Sequence, residues 1–300
     1  MGDLDAILDR LQRTLGPLDG APVPLGGGIT NRNFRASFGN RLYVVRLPGK
    51  DTSLLGISRD AERVAGQLAA SLGVAPALVA AEPDCMVTAW VDGGPIDPDW
   101  LRSAPEGVGR ALRALHDSGA ELPTRFWVPE LLEDYAGIVR ERGGSLPEAY
   151  ARARALASRI AAALPLDEPV PCHCDLLPGN LMQVETADGP RVMLVDWEYA
   201  GMGHRYFDLG NLAVNNEFGE DAETRLLVAY LGRPPTAAQR AALSLMKIMS
   251  DAREAAWGVI QAVVSELDFD FDDYAESHFT RLTAAAADPR LERSLAIAAP

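Results

Sequence analysis

The chain has 300 residues, 48% hydrophobic and 23% charged, enough for one large domain or two small ones around an ordinary core. Acidic residues outnumber basic ones 42 to 28, a formal net charge of −14, which argues against a nucleic-acid backbone as the main partner, since phosphate contacts need a basic footprint. Three cysteines rule out a disulfide framework, and no apolar run reaches the roughly 18 residues of a membrane span. The amino-terminal stretch is acidic and amphipathic, unlike a signal peptide, so a cytoplasmic protein is expected.

Leu4, Ile7, Leu8, Leu11 and Leu15 recur at helical spacing and predict a helix over 4–15. A glycine cluster, Gly26-Gly27-Gly28, follows Pro22–Leu25. Strand-like runs over 33–38 and 41–47 flank Gly39-Asn40, the composition of a two-residue hairpin turn. Ile57, Ala61, Val64, Leu68 and Leu72 return to helical period, and Gly73 stops them. Residues 74–81 and 86–91 read as two more short strands. Asp92-Gly93-Gly94-Pro95 reads as a linker and divides the chain into 1–91 and 92–300. Beyond it the pattern is helical over 97–117, 130–142, 147–164, 221–231, 236–265 and 270–285. One hairpin interrupts this half, with strands at 181–185 and 191–195.

The chemistry concentrates beside that hairpin. His173-Cys174-Asp175-Leu176-Leu177-Pro178-Gly179-Asn180 precedes it, and Val195-Asp196-Trp197-Glu198-Tyr199 closes it. Phosphoryl transfer from ATP requires a carboxylate to take the acceptor hydroxyl's proton, oxygen ligands for Mg²⁺, and a cation on the phosphates. Asp175 and Asn180, five apart in a tight Pro-Gly loop, can aim a carboxylate and an amide into one cleft, and the hairpin returns Asp196 beside Asn180. Glycines near Gly27 and Gly28 can bring backbone N–H groups close to phosphates. Gly26-x-Gly28-x-x-Asn31 is not a complete dinucleotide fingerprint, and no P-loop sequence occurs. Cys172-His173-Cys174 has too few further ligands nearby for a zinc site.

His-x-Asp-x-x-x-x-Asn followed by a strand ending in Asp resembles the catalytic loop and metal aspartate of the protein-kinase-like superfamily, in its small-molecule phosphotransferase branch. Further segments resemble the choline/ethanolamine kinases, namely 25–34, 42–49, Asp196–Tyr199, Phe207-Asp208, and 257–275. The resemblance implies an α+β, two-lobe fold: a small antiparallel sheet with a helix, then a larger, mostly helical lobe. It implies Asp175 as catalytic base and Asn180 and Asp196 as Mg²⁺ ligands. ATP would meet Gly27, Gly28, Thr30, Asn31 and Thr88, with a hinge over 88–92 against the adenine. Arg46 stands where a phosphate-binding Lys is usual, with Glu62 as its ion-pair partner, and Lys50 is the other candidate cation. An aromatic box for a cationic alcohol would use Tyr199, Trp257 and Tyr274. Glu254 replaces a second tryptophan of some members, Asn215 an acidic residue, and Glu217 offers an alternative anion.

The implied activity is ATP-dependent phosphorylation of choline, ethanolamine or a similar amino alcohol. An aminoglycoside- or thiamine-like acceptor, or a kinase-fold binding module without turnover, stays open. Structural roles are expected for three residues: His173 bracing backbone, Asp208 accepting backbone N–H bonds, and His116 capping a helix.

Overall fold

A computed structural model of the chain describes residues 2–26, 31–49, 52–187 and 189–298. Its first part is a five-stranded antiparallel sheet in the order β1-β2-β3-β5-β4. The strands are β1 (Val23–Leu25), β2 (Arg32–Phe38), β3 (Arg41–Leu47), β4 (Leu78–Glu82) and β5 (Cys85–Ala89). Gly39 and Asn40 join β2 to β3 with φ of 57° and 62°, the doubly left-handed turn whose twist suits a tight hairpin. Helix α1 (Gly2–Leu15) lays Ile7, Leu8 and Leu11 against Phe38, Val45 and Val87, forming a small core. Helix α2 (Arg59–Ser71) starts at Ser58, whose hydroxyl accepts the Ala61 N–H, and its Ala65 and Ala69 join the main core instead.

The predicted linker is a strand, β6 (Gly93–Pro95), which pairs with β8 (Leu181–Thr186) and through it with β9 (Gly189–Leu194). A Cβ on Gly93 would lie 2.6 Å from the Gln183 carbonyl oxygen, so only glycine permits this approach. Val74 does not begin a strand, as its pattern predicts. It packs in the main core, and its carbonyl accepts the Leu194 N–H at 2.8 Å, tying α2's exit to the hairpin.

The helical part contains α3 (Pro98–Ser103), α4 (Glu106–His116), α5 (Val128–Glu141), α6 (Glu148–Ala163), α7 (Arg205–Asn215), α8 (Glu220–Leu231), α9 (Ala237–Val264), α10 (Phe271–Ala287) and α11 (Arg290–Ala298). The single helix predicted over 97–117 breaks at Ala104-Pro105, where a proline stops the first turn ladder. Helices α7 and α11 escape the periodicity reading. The 28-residue α9 begins in a reciprocal Thr236–Gln239 capping box and packs against α5, α6, α7, α10 and α11, so it is buried around most of its girth. A short ribbon of β7 (Val170–Cys172) with β10 (Gly201–Gly203) brackets the loop that carries Asp175.

Candidate active site

The loop after β7 is held by buried carboxylate and imidazole groups. Asp208, at the start of α7, accepts the N–H groups of His173 and Cys174, each at 2.8 Å. Cys174 is left-handed at φ 67°, a conformation costly for a non-glycine residue, and its amide is one of the two so pinned. The His173 ring bridges Val195 O at 3.0 Å and the Asp175 N–H at 3.3 Å, so it braces the loop as expected. Burial holds it below the ordinary imidazole pKa, in keeping with one donating and one accepting nitrogen. His116 is no cap. Fully enclosed, it meets Asp208 Oδ2 at 3.1 Å and the Tyr230 hydroxyl at 2.8 Å. Burial works against its proton, yet nearby Cys172 and the Asp208 hydrogen bond hold its pKa well above the usual value.

Asp175 and Asn180 are joined, as their spacing suggests. The Asn180 amide nitrogen donates to the Asp175 carbonyl and to Asp175 Oδ2, both at 2.8 Å, which leaves its amide oxygen free to face a cation. Across the β8–β9 hairpin the Val195 N–H donates to Asn180 O at 3.0 Å, so Asp196 emerges next to Asn180. Asp196 is left-handed, at φ 66°. Burial pushes the Asp175 carboxyl up to about 8; Arg253 opposes this, while Glu254, Asp196 and Glu198 add to it.

From the sheet side, β3 points Arg46 at the same place. Its guanidinium meets Asp196 Oδ1 at 2.5 Å, Glu62 Oε1 at 2.7 Å and Glu198 Oε2 at 3.1 Å. Glu62 is fully buried and also takes Arg59 at 2.6 Å, while Asn31 donates to Glu198 Oε2 at 2.9 Å. Arg46, Glu62 and Asp196 front a cavity of about 430 Å³ between sheet and hairpin, which Thr88 and Asn180 also line. The predicted nucleotide contacts Gly27, Gly28 and Thr30, and the alternative cation Lys50, lie outside the described residues.

On the other side of Asp175, Tyr199, Trp257, Tyr274 and Glu254 converge. The Trp257 indole N–H donates to the Tyr199 hydroxyl at 2.7 Å, and the Tyr274 hydroxyl donates to Glu254 Oε2 at 2.7 Å. Trp257 and Tyr274 meet edge to face at 5.4 Å. Glu217 is exposed just beyond α7, and no hydrogen bond or ion pair joins it to this group.

Two members escaped sequence reasoning. Arg253, 2% exposed, reaches Asp175 Oδ1 at 3.1 Å and Glu254 Oε1 at 2.9 Å and stacks over the Tyr199 ring at 4.3 Å. The only local hint was an Arg-Glu pair inside an apolar helical run. Glu198 stood in a quoted motif but had no assigned role; its partners Arg46, Arg59 and Asn31 are all more than 130 residues away.

Residues 22–243 match the phosphotransferase enzyme family (APH). A crystal structure of a choline/ethanolamine kinase family protein from Mesorhizobium loti superposes with a TM-score of 0.81 at 31% identity, covering 99% of this chain and 98% of that one. LicA in complex with AMP gives a TM-score of 0.75 at 25% identity, over 94% and 97% of the two chains. The choline/ethanolamine kinase of Mus musculus is 27% identical over 213 residues, 63% of this chain, and the match spans only 52% of the mouse protein. No described helix is long and apolar enough to cross a membrane. With its sheet-and-helix layout and the loop-to-hairpin cluster in place, this chain belongs to the phosphotransferase enzyme family, among the small-molecule kinases of choline/ethanolamine kinase type.

Proposed function

We propose that the protein transfers the γ-phosphoryl group of ATP to the hydroxyl of a small amino alcohol of the choline or ethanolamine kind. The observation that carries this reading is the Asp175–Asn180 pair, 2.8 Å apart, standing between the cavity fronted by Arg46 and Asp196 and the aromatic group around Glu254. The donor set suits Mg²⁺, since Asp196 and the free amide oxygen of Asn180 are hard oxygens. Those two residues would hold the ion, which would supply positive charge against the phosphates.

The rest is the work of side chains. Arg46 orients the phosphates, and Glu62 fixes Arg46 from α2. Asp175 accepts the hydroxyl proton as the acceptor oxygen attacks the γ-phosphorus and the bond to the β–γ bridging oxygen breaks, releasing ADP, and Asn180 keeps the Asp175 carboxylate in that rotamer. Asp208 and His173 hold the loop so that no reorganisation accompanies the step. ATP as donor fits a cytoplasmic setting, as do three free, buried thiols.

Asp175→Ala tests the assignment. Loss of a general base costs about 10²–10⁴-fold in rate, while nucleotide binding persists. Turnover of amino alcohols by this variant at the wild-type rate would reject Asp175 as the base.

A further inference from the structure

The cation position of the aromatic group is already taken. The Arg253 guanidinium lies 4.3 Å from the Tyr199 ring centroid, where an ammonium ion would sit. We propose that Arg253 sets acceptor specificity: it fills that position with the chain's own guanidinium, so the acceptor carries a hydrogen-bonding primary or secondary amine and a quaternary ammonium is excluded. This deepens the amino-alcohol reading and rests on it.

A quaternary ammonium donates no N–H bond and depends on open aromatic faces. Tyr199 has no face to spare on the Arg253 side, and Trp257 is packed edge to face against Phe271 and Tyr274. To take the face of Tyr199 that Arg253 covers, a trimethylammonium group must displace Arg253. Asp175 Oδ1 and Glu254 Oε1 would then lose a buried cation, an unfavourable exchange. If Arg253 stays, two cations crowd one small site.

A primary ammonium carries the same charge, but its N–H groups can donate to Glu254 while Arg253 stays in place. Glu254 Oε1 is used by Arg253 Nη1 and Asn211 Nδ2, whereas among the described residues Oε2 accepts only the Tyr274 hydroxyl. A carboxylate has about four lone-pair sites, so one position remains for an N–H donor. The Arg253 Nε and Nη2 atoms are buried and find no hydrogen-bond partner among the described residues. Arg253 is thus held by the Tyr199 ring and by Nη1 rather than by a full set of acceptors.

The test compares ethylammonium with tetramethylammonium as probes, by thermal shift of the full-length protein with Mg·nucleotide. It then compares kcat/KM for ethanolamine and choline in the wild type and in Arg253→Met, Arg253→Ala and Arg253→Lys. The wild type is expected to favour ethylammonium and ethanolamine about tenfold or more, the scale of one aromatic contact. Arg253→Met and Arg253→Ala should gain tetramethylammonium binding and lose or reverse the preference, and Arg253→Lys should keep it. Equal handling of choline and ethanolamine by the wild type overturns the proposal, as does an unchanged ratio in Arg253→Met. Should the apolar variants fail to fold, the wild-type ion comparison decides by itself. If neither alcohol is turned over while another acceptor is, the amino-alcohol reading fails, and the two ammonium ions still judge the specificity claim.

Discussion

Arg46 and Asp196, 150 residues apart in sequence, are ion-paired at 2.5 Å across the cavity mouth. The same guanidinium also holds Glu62 and Glu198, so one cation from the sheet organises three carboxylates from α2 and the hairpin's exit. On the proposed reading, phosphates entering the cavity would compete with these carboxylates for Arg46. Arg46→Ala should raise the KM for ATP by about a hundredfold, since it removes a charge-assisted contact and leaves the carboxylates repelling one another. Arg46→Lys keeps the charge and loses the planar fork, so it should fall between. Steady-state kinetics at varied ATP check the order; an Arg46→Ala enzyme with the wild-type KM would remove Arg46 from phosphate binding.

On the proposed reading, Asn180 and Asp196 hold the metal ion. Chelation with EDTA should abolish turnover, and added Mg²⁺ should restore it. Asp196→Asn should shift the Mg²⁺ concentration for half-maximal rate upward by about tenfold or more, because a charged oxygen ligand is replaced by a neutral one. A Mg²⁺ titration that matches the wild type would exclude Asp196 from the metal site.

Asp208 carries the loop. Its buried carboxylate serves two backbone N–H groups and His116, whose hydrogen bond and charge hold it below the ordinary carboxylate pKa even though burial pushes the other way. Asp208→Ala leaves those buried backbone donors and His116 without their acceptor, at a cost of about 1–3 kcal/mol for each stranded group. Denaturant unfolding should register that loss, and a change below roughly 1 kcal/mol would contradict the bracing role.

His204 gives the fold an acid-sensitive point. Its Nδ1 accepts the Tyr206 N–H at 3.2 Å and so caps α7, which requires neutral imidazole. Burial first, then Arg205 and His116, pull its pKa down to about 4. An unfolded histidine titrates near 6.5, so between about pH 6.5 and 4 the unfolded chain binds a proton that the native chain refuses. Stability therefore falls as pH drops through that window, by about 1–2 kcal/mol for a partly solvated group. His204→Asn keeps a cap without titrating and should flatten this part of the stability–pH curve; an equal slope in the variant would assign the effect elsewhere.

Much of the site is short-range, and that part was readable. Asp175 and Asn180 are five residues apart in one loop, and a hairpin with matched strands returns Asp196 to their side, so backbone geometry alone brings the three together. The Gly39-Asn40 turn is local in the same sense. The tertiary structure decided what depends on partners far along the chain. Arg253 reads as one charge in a helix, and only the packing of α9 against the catalytic loop sets it on Tyr199. His116 reads as a helix end, and only the approach of α7 turns it into the partner of Asp208. Gly93 and Gly94 look like slack chain until β8 comes within reach of a residue that has no side chain to prevent it. Periodicity and turn chemistry act over a few residues, whereas buried charges take their meaning from whichever group long-range packing places beside them.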